Sequence, residues 1–340
     1  MTDQLLTTET PPEVQADPEL FVLWPRLRAT DPAIRRLALQ ELAEGENEAH
    51  APWLISALSD PDAGVRQAVA GALAYWELPE VILALASSLS DSSETVRTAA
   101  AISLAEIKQP ASGALLLPRL EKAEGFVLAS LLHALRELRL PDSLGAALLG
   151  ADNADERVRL AAVGLLGWLK DPAALPVLER LAASDPVVSV RRAAAGALGL
   201  AQGRESAVLP ALLSALRDDA WQVREEAAAT LGKLRLPDSV EPLIEALSDG
   251  YWQVRLIAAR ALGRLKDRRA TEALIRDALT QDKVNLRKEA AIALGEIGDV
   301  RALSALQVAA DDADPEVRKM ARLAIAHLVA SAHQSKTPGL

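Results

Sequence analysis

The chain of 340 residues contains no cysteine, so disulfide bonds, thiolate metal sites and a cysteine nucleophile are excluded. Aromatic residues make up only 3% of the chain, whereas half of the residues are hydrophobic and most of these are alanine and leucine. This composition is typical of packed helices and not of β-sandwiches, which are rich in Val, Ile, Tyr and Thr.

Long apolar runs are also lacking, because no stretch of about 18 uncharged apolar residues could span a membrane. The opening stretch, MTDQLLTTETPPEVQADPE, has neither the basic region nor the apolar region of a signal peptide. The formal net charge of −10 indicates an acidic surface that repels nucleic acid and anionic lipid. We therefore expect a cytoplasmic protein whose partner is neither nucleic acid nor a membrane.

Sequence signatures of catalysis are missing too. There is no glycine-rich phosphate loop, no nucleophile elbow and no H-E-x-x-H motif, and the serines and carboxylates are scattered without a paired base. The sequence therefore favours a non-catalytic protein.

The sequence does contain an internal period. An arginine recurs every 31 to 33 residues, with one double interval in which Leu128 stands at the midpoint. The chain thus has ten repeat units, nine of which carry what we call a ladder arginine: Arg35, Arg66, Arg97, Arg159, Arg191, Arg224, Arg255, Arg287 and Arg318.

Each unit is predicted to be a pair of helices, A and B, joined by a polar turn. An alanine usually lies three residues after the arginine and an apolar residue always lies seven after it, which places both on one face of helix B. In six units an aspartate lies six residues before the ladder arginine: Asp60, Asp91, Asp185, Asp218, Asp249 and Asp312. Such an aspartate could cap helix B, or accept a hydrogen bond from the arginine of its own or a neighbouring unit. Such short pairs bury their apolar faces only by stacking.

This pattern, with Leu-Gly near the end of B helices (for example Leu198-Gly199, Leu231-Gly232, Leu262-Gly263 and Leu294-Gly295), resembles the HEAT repeat. In particular it resembles the short-unit type named after the phycobilisome lyases. The resemblance covers residues 19–330 and implies an all-α, right-handed α-solenoid of about ten helix pairs, with the B helices lining the concave face. Residues 1–18 are predicted to be a disordered acidic segment, and residues 331–340 a flexible tail.

The resemblance implies less about function, because repeats of this type occur in scaffolds, bilin lyases, a di-iron hydroxylase and relatives of DNA glycosylases. The hydroxylase uses His-Glu dipeptides, and none of the four histidines here is followed by glutamate.

Residues that keep the period build the repeat structure, so departures from the period are the candidates for function. The largest is unit 4, at 124–150, which lacks both the aspartate and the arginine. It is either a worn repeat, or a hinge or docking surface.

Side chains five and nine residues after the marker are predicted to face the groove. In the middle of the chain they include five candidates for partner binding: Tyr75, Glu106, His133, Glu137 and Trp168. His133 and Glu137 are four residues apart and share a helix face, so with Glu106 they are also a weak candidate for a divalent metal site. The alternative is an ordinary solvated surface.

A second candidate region is electrostatic. Residues 255–288 hold ten bases against four acids within an otherwise acidic chain, which predicts a partner with an acidic face. Arginine and tryptophan are common in protein hot spots. The candidates here are three groove-facing bases and three aromatic residues near the turns: Lys233, Arg260, Arg264, Trp221, Tyr251 and Trp252. The alternative is that these charges are solvated helix charges and ladder residues.

Together these observations predict a scaffold or adaptor that needs no cofactor and binds a partner protein through the concave B-helix surface. A second hypothesis, from a different class, is a lyase-like accessory protein that holds a bilin or other tetrapyrrole, or loads a metal cofactor. A third is a metalloenzyme built on His133 and neighbouring carboxylates.

Overall fold

The computed structural model describes residues 10–201 and 203–334, with side chains described up to residue 330. Within these ranges the regular secondary structure is entirely helical. The α-helices are α1 (Pro12–Ala16), α2 (Pro18–Leu27), α3 (Pro32–Glu44), α4 (Ala51–Ala57), α5 (Ala63–Ala72), α6 (Pro79–Ser88), α7 (Glu94–Ala105), α8 (Pro110–Ala114), α9 (Leu117–Leu120), α10 (Gly125–Leu135), α11 (Leu144–Gly150), α12 (Glu156–Leu169), α13 (Leu175–Ser184), α14 (Val188–Ala197), α15 (Glu205–Ala215), α16 (Trp221–Leu234), α17 (Val240–Ala246), α18 (Trp252–Leu265), α19 (Thr271–Leu274), α20 (Val284–Ile297), α21 (Leu303–Ala309) and α22 (Pro315–Gln334).

After α1, the helices form ten consecutive A and B pairs, from α2 with α3 to α21 with α22. The A helix of unit 4 is split into α8 and α9, and in unit 9 α19 continues into a π-helix, Ile275–Leu279. These pairs correspond to the ten predicted units, and the all-α solenoid fold is confirmed. None of the helices in the described part of the chain is long and apolar enough to cross a membrane.

The chain divides into two compact parts, Met1–Leu169 and Lys170–Leu340, which we call the N-terminal half and the C-terminal half. Each half contains five of the ten pairs. In both, the alanine and the apolar residue of the repeat pattern form the core between stacked pairs. Ala100 and Leu104 are fully buried in the N-terminal half, and Ala258 and Leu262 are fully buried in the C-terminal half. The periodic pattern of the sequence is therefore the pattern of the core.

In the C-terminal half, glycine allows neighbouring B helices to approach closely. A Cβ atom built on Gly232 would lie 2.6 Å from the Cβ of Ala261 and 2.7 Å from its Cα. A Cβ on Gly263 would lie 2.8 Å from the Cα of Ala293. Since real Cβ atoms do not approach other atoms this closely, the Leu-Gly pairs mark positions where only a hydrogen fits.

The N-terminal segment differs from its prediction. Of the predicted disordered residues 1–18, the structure describes 10–18, and these form α1 and the start of α2. Val14 is fully buried, and the Asp17 carboxylate accepts from the amides of Glu19 and Leu20 and lies 2.9 Å from His50 Nε2. An aspartate N-cap followed by proline is a helix-start signal that outweighs the polar composition. Residues 1–9 lie outside the described residues.

The C-terminal segment was predicted to be a flexible tail from residue 331 onwards. Helix α22 continues through Gln334, so residues 331–334 are helical. The remainder of the predicted tail, residues 335–340, lies outside the described residues.

Candidate protein-interaction surfaces

Arginine and aspartate join successive repeat units through what we call rungs. Nε and Nη2 of Arg66 donate to the two carboxylate oxygens of Asp91, in the next unit, at 2.8 and 2.9 Å. Its Nη1 donates to the backbone carbonyl of Asp60, in its own turn, at 2.8 Å. The same geometry recurs in five rungs: Arg35–Asp60, Arg66–Asp91, Arg191–Asp218, Arg224–Asp249 and Arg287–Asp312. The rung aspartate therefore accepts hydrogen bonds from the arginine of the preceding unit, and not from the arginine of its own unit.

The rungs also shift the ionisation of their carboxylates. Hydrogen bonds from Arg66 and Arg287 hold the pKa values of Asp91 and Asp312 below the ordinary value. For Asp218 and Asp249, burial acts to raise the pKa, but the hydrogen bonds from arginine and from backbone amides outweigh it and the net shift is downward. The carboxylates of Asp91, Asp218, Asp249 and Asp312 are thus held in the charged form.

Unit 4 interrupts the ladder on both of its sides. The rung position facing Arg97 holds Lys122, and among the described residues Arg97 donates only to backbone carbonyls of its own turn. On the other side Leu128 replaces the arginine, and the opposing position holds the uncharged Asn153. Leu131 and Leu135 of α10, at the ordinary core positions of the repeat, are fully buried, so the core of unit 4 is intact although its rungs are missing. The boundary between the halves follows Leu169, one repeat further on.

In the N-terminal half, two predicted groove residues line one large groove of about 1270 Å³. Tyr75 is 75% exposed and Ile102 is 61% exposed. Helix α5 ends early, at Ala72, and Tyr75 has a φ of 72°, in the left-handed region that a bulky side chain seldom adopts. The charged residues of the lining are mostly acidic: Arg36, Glu44, Glu46, Glu48 and Glu77.

The other predicted residues of the middle region do not line this groove. The Arg139 guanidinium lies 5.3 Å from the centre of the Trp168 ring. Glu137 forms an ion pair with Arg136 at 3.2 Å, and Glu106 lies 3.9 Å from the amine of Lys108. The structure thus places Tyr75 and Ile102 in one groove, and gives Trp168, Glu137 and Glu106 local partners.

The metal site suggested by the sequence does not assemble. In the part of the chain that the structure describes, no three His, Asp or Glu side chains come close enough to hold a metal ion, so His133, Glu106 and Glu137 are not a ligand cluster. Partial desolvation and the nearby charge of Arg136 lower the pKa of His133. Spacing within a helix predicted the His133 and Glu137 face but could not supply a third ligand.

In the C-terminal half, the basic segment is partly neutralised. Nε and Nη2 of Arg260 donate to the two oxygens of Glu289, both at 2.9 Å, and the Glu289 side chain is only 9% exposed. Arg260 is therefore held in a structural ion pair. Glu289 was not predicted as the partner of Arg260, although it directly follows the basic segment 255–288 in the sequence. Lys233 and Arg264 are exposed and form no ion pair with any described residue.

The aromatic residues of this half stack along a rung. The rings of Trp221 and Tyr251 lie 5.6 Å apart at 16°, and the Arg224 guanidinium lies 5.7 Å from the Tyr251 ring. Trp252, the repeat equivalent of Trp221, is half-buried and has no ring stacked on it among the described residues. Trp221 therefore packs within the repeat structure, while Trp252 stays a candidate for partner binding.

A scan against family models matches HEAT repeats over residues 22–78, 51–136, 116–199, 188–255 and 240–326. It does not single out the phycobilisome-lyase type. No curated protein sequence matches the chain.

Among solved structures, an engineered protein is 22% identical, with 92% of this chain and 99% of that chain covered and a TM-score of 0.50. YibA of E. coli is 22% identical, with 86% and 96% covered and a TM-score of 0.51. Kap95p, in the structure in which it induces the switch loops of RanGDP to adopt the GTP-bound conformation, is 16% identical with a TM-score of 0.66. That match covers 99% of this chain but only 52% of Kap95p. These likenesses agree in fold, and since the family model extends from residue 22 to residue 326, the chain belongs to the HEAT-repeat family.

Proposed function

We propose that the protein is a non-catalytic scaffold that binds an extended segment of a partner protein in the B-helix groove of its N-terminal half. The observation that carries this proposal is the groove of about 1270 Å³ with Tyr75 and Ile102 exposed within it. Pockets for small molecules are typically about 300–1,000 Å³, so a groove of this size and openness suits a peptide better than a metabolite. Kap95p, which shares the fold, is found in complexes with RanGDP and with Nup1.

The lining indicates the chemistry of the partner segment. Tyr75 and Ile102 offer an aromatic and an aliphatic contact, which are the kinds of residue that carry binding energy at protein interfaces. Four carboxylates against one guanidinium favour lysine or arginine in the partner. We therefore infer a partner segment that combines aliphatic and basic side chains.

Titration of a fluorescein-labelled peptide of alternating leucine and lysine, followed by anisotropy, tests this proposal. We expect the wild type to bind it. We expect Ile102→Lys, which places a cation in the groove and removes the apolar contact, to weaken binding by about tenfold or more. The matched control is Val308→Lys, which adds the same charge at a site that is 77% exposed on α21.

Equal affinities of Ile102→Lys and Val308→Lys for the peptide would contradict the groove as the site. A peptide of alternating leucine and glutamate that bound as tightly as the lysine peptide would contradict the charge argument. Both variants alter exposed positions, so their melting temperatures should stay close to that of the wild type.

An acidic partner for residues 255–288 stays a proposal, supported by the exposed Arg264 within the segment and by Lys233 of the preceding unit, but no longer by Arg260. The hypothesis of a lyase-like or cofactor-loading protein also stays a prediction. Absorbance spectra and thermal melts of the protein mixed with bilin or haem would test it, and unchanged spectra and melts would contradict it.

A further inference from the structure

Each complete rung gathers three donors around one carboxylate. At Asp249 these are Nε of Arg224 at 2.7 Å, Nη2 of Arg224 at 2.9 Å and the backbone amide of Tyr251 at 2.8 Å. At Asp312 they are Nε and Nη2 of Arg287, at 2.8 and 2.9 Å, and the amide of Asp314 at 2.8 Å. The turn of every complete rung is therefore a cradle for a planar, charged acceptor.

Unit 9 has the cradle position but not the carboxylate. Arg287 Nη1 donates to the carbonyl of Gln281 at 2.9 Å, just as Arg224 Nη1 donates to the carbonyl of Asp218 at 2.7 Å, so Gln281 stands where the other turns have aspartate. The side-chain amide of Gln281 makes no hydrogen bond with any described residue. The backbone amide of Lys283, which a rung aspartate would cap, likewise has no acceptor in the described part of the chain.

The arginine that should reach this position is Arg255. Its Nε is buried without a hydrogen-bond partner, and so is Oε1 of Gln253 in the same helical turn. Arg97 and Arg318 also lack a rung, but both keep hydrogen bonds to the carbonyls of their own turns. Among the ladder arginines of the described residues, Arg255 alone makes no side-chain hydrogen bond, contrary to its predicted structural role.

A second, independent irregularity lies beside this gap. The π-helix Ile275–Leu279 ends two residues before Gln281, and such helices are rare and frequent at functional sites. The gap also lies in the basic segment. Lys283, beside the gap, is exposed and forms no ion pair with described residues. Asp249 lies within electrostatic range of Arg255, but both of its carboxylate oxygens are held by Arg224, so the Arg255 guanidinium is open to an incoming carboxylate.

We propose that Arg255, together with the backbone amide of Lys283, binds the carboxylate of an aspartate or glutamate side chain in an acidic segment of a partner protein. The incoming carboxylate completes the missing rung, because the guanidinium and amide donors are those that hold a carboxylate in the other turns. This site is independent of the groove, since it lies in the C-terminal half and selects the opposite charge.

The probe is a fluorescein-labelled peptide of five Gly-Glu repeats, with the uncharged Gly-Gln peptide as its match, followed by anisotropy at low ionic strength. We expect the wild type to bind the Gly-Glu peptide and not the Gly-Gln peptide. Arg255→Gln should weaken binding by about tenfold or more, whereas Arg97→Gln, at the other rung gap, should leave it unchanged. The Nε–H resonance of Arg255 should shift on addition of the Gly-Glu peptide.

The decisive variant is Gln281→Asp, which supplies the missing carboxylate from the chain itself. We expect it to lose peptide binding and to raise the melting temperature by about 2–4 °C, because a charge-assisted rung forms. A loss of binding combined with a gain of stability cannot come from misfolding.

Three outcomes would overturn the proposal: equal binding of the Gly-Glu and Gly-Gln peptides, unchanged peptide binding by Gln281→Asp, or binding of a Gly-phosphoserine peptide without binding of Gly-Glu. Tyr75→Ala, in the groove, should leave Gly-Glu binding unchanged, so failure of the groove proposal and failure of this one are separable.

Discussion

Units 1 to 3 differ from units 5 to 9 at one position of helix B, eight residues after the marker. Units 1 to 3 carry Ala43, Ala74 and Ala105 there and unit 4 carries Arg136, whereas units 5 to 9 carry Gly167, Gly199, Gly232, Gly263 and Gly295. The glycines of units 7 to 9 lie against alanines of the next B helix, while Ala43 and Ala74 line the large groove. The presence or absence of one methyl group therefore separates closely packed B helices from those that border a groove.

The ladder gives a second comparison, between units joined by a rung and units that lack one. Arg66 and Arg97 occupy equivalent positions in consecutive units of the same half, but only Arg66 meets a carboxylate. Both arginines keep the hydrogen bond to their own turn. The difference between them isolates the contribution of the rung.

Replacing these two arginines should give the largest contrast in stability. Arg66→Ala leaves the carboxylate of Asp91, which is only 13% exposed, without its charged partner. We expect a loss of about 2–3 kcal/mol in the free energy of unfolding. Arg97→Ala removes only hydrogen bonds to backbone carbonyls and should cost less than about 1 kcal/mol. Urea unfolding followed by circular dichroism measures both, and equal losses would show that the rungs do not hold the units together.

A smaller contrast is expected for one substitution made in both halves. Gly232→Ala forces a Cβ to within 2.6 Å of the Ala261 Cβ, so the B helices must move apart, at a cost of about 1–3 kcal/mol. Gly71→Ala lies inside α5, and no described atom comes within 4 Å of the added Cβ. It should stabilise the protein by about 0.5–1 kcal/mol through helix propensity. Opposite shifts in melting temperature are the expected result, and shifts of the same sign would refute the packing comparison.

The sequence predicted the part of the structure that repeats. The ladder arginines, the buried alanine and leucine positions and the Leu-Gly pairs each recur with the period, so one geometry explains all of them. The groove was located in part for the same reason, since Ile102 and Tyr75 stand five and nine residues after their ladder arginines, the two offsets predicted to face the groove. The period also shows that Gln281 interrupts the series of aspartates. That the side chain of Arg255 is thereby left without a hydrogen bond is evident only from the structure.

Features that depend on one pair of side chains were not predictable from the period. The Arg260–Glu289 ion pair joins two units through a pairing of positions that does not recur, since Glu226, the repeat equivalent of Glu289, lies 3.4 Å from Arg192, which stands at a different position of its helix. Trp221 stacks on Tyr251 and not on its repeat equivalent Trp252, because the stacking partner lies one position earlier in the next turn. The early end of α5 and the left-handed Tyr75 are local backbone choices with no signal in the pattern.

The smallest expected effect concerns pH, because little should change near neutral pH. Acidification should weaken the rungs and leave the positions without a rung unaffected. The hydrogen bond from Arg66 lowers the pKa of Asp91 from its ordinary value of 3.8. A carboxylate whose pKa is lower in the folded state stabilises the protein fully above the unfolded pKa, and this contribution is lost as the pH falls through the folded value. We therefore expect the rung contribution to stay constant from about pH 7 to pH 5 and to decline below about pH 4.

The matched variant is Asp91→Asn, which keeps the shape of the side chain but has no charge to lose. It should be less stable than the wild type at neutral pH, and the difference between the two proteins should shrink as the pH falls below about 4. Urea unfolding of both proteins at several pH values measures this difference. If it stayed constant down to about pH 2.5, protonation of Asp91 would not break its rung, and the rungs would owe their stability to shape instead of charge.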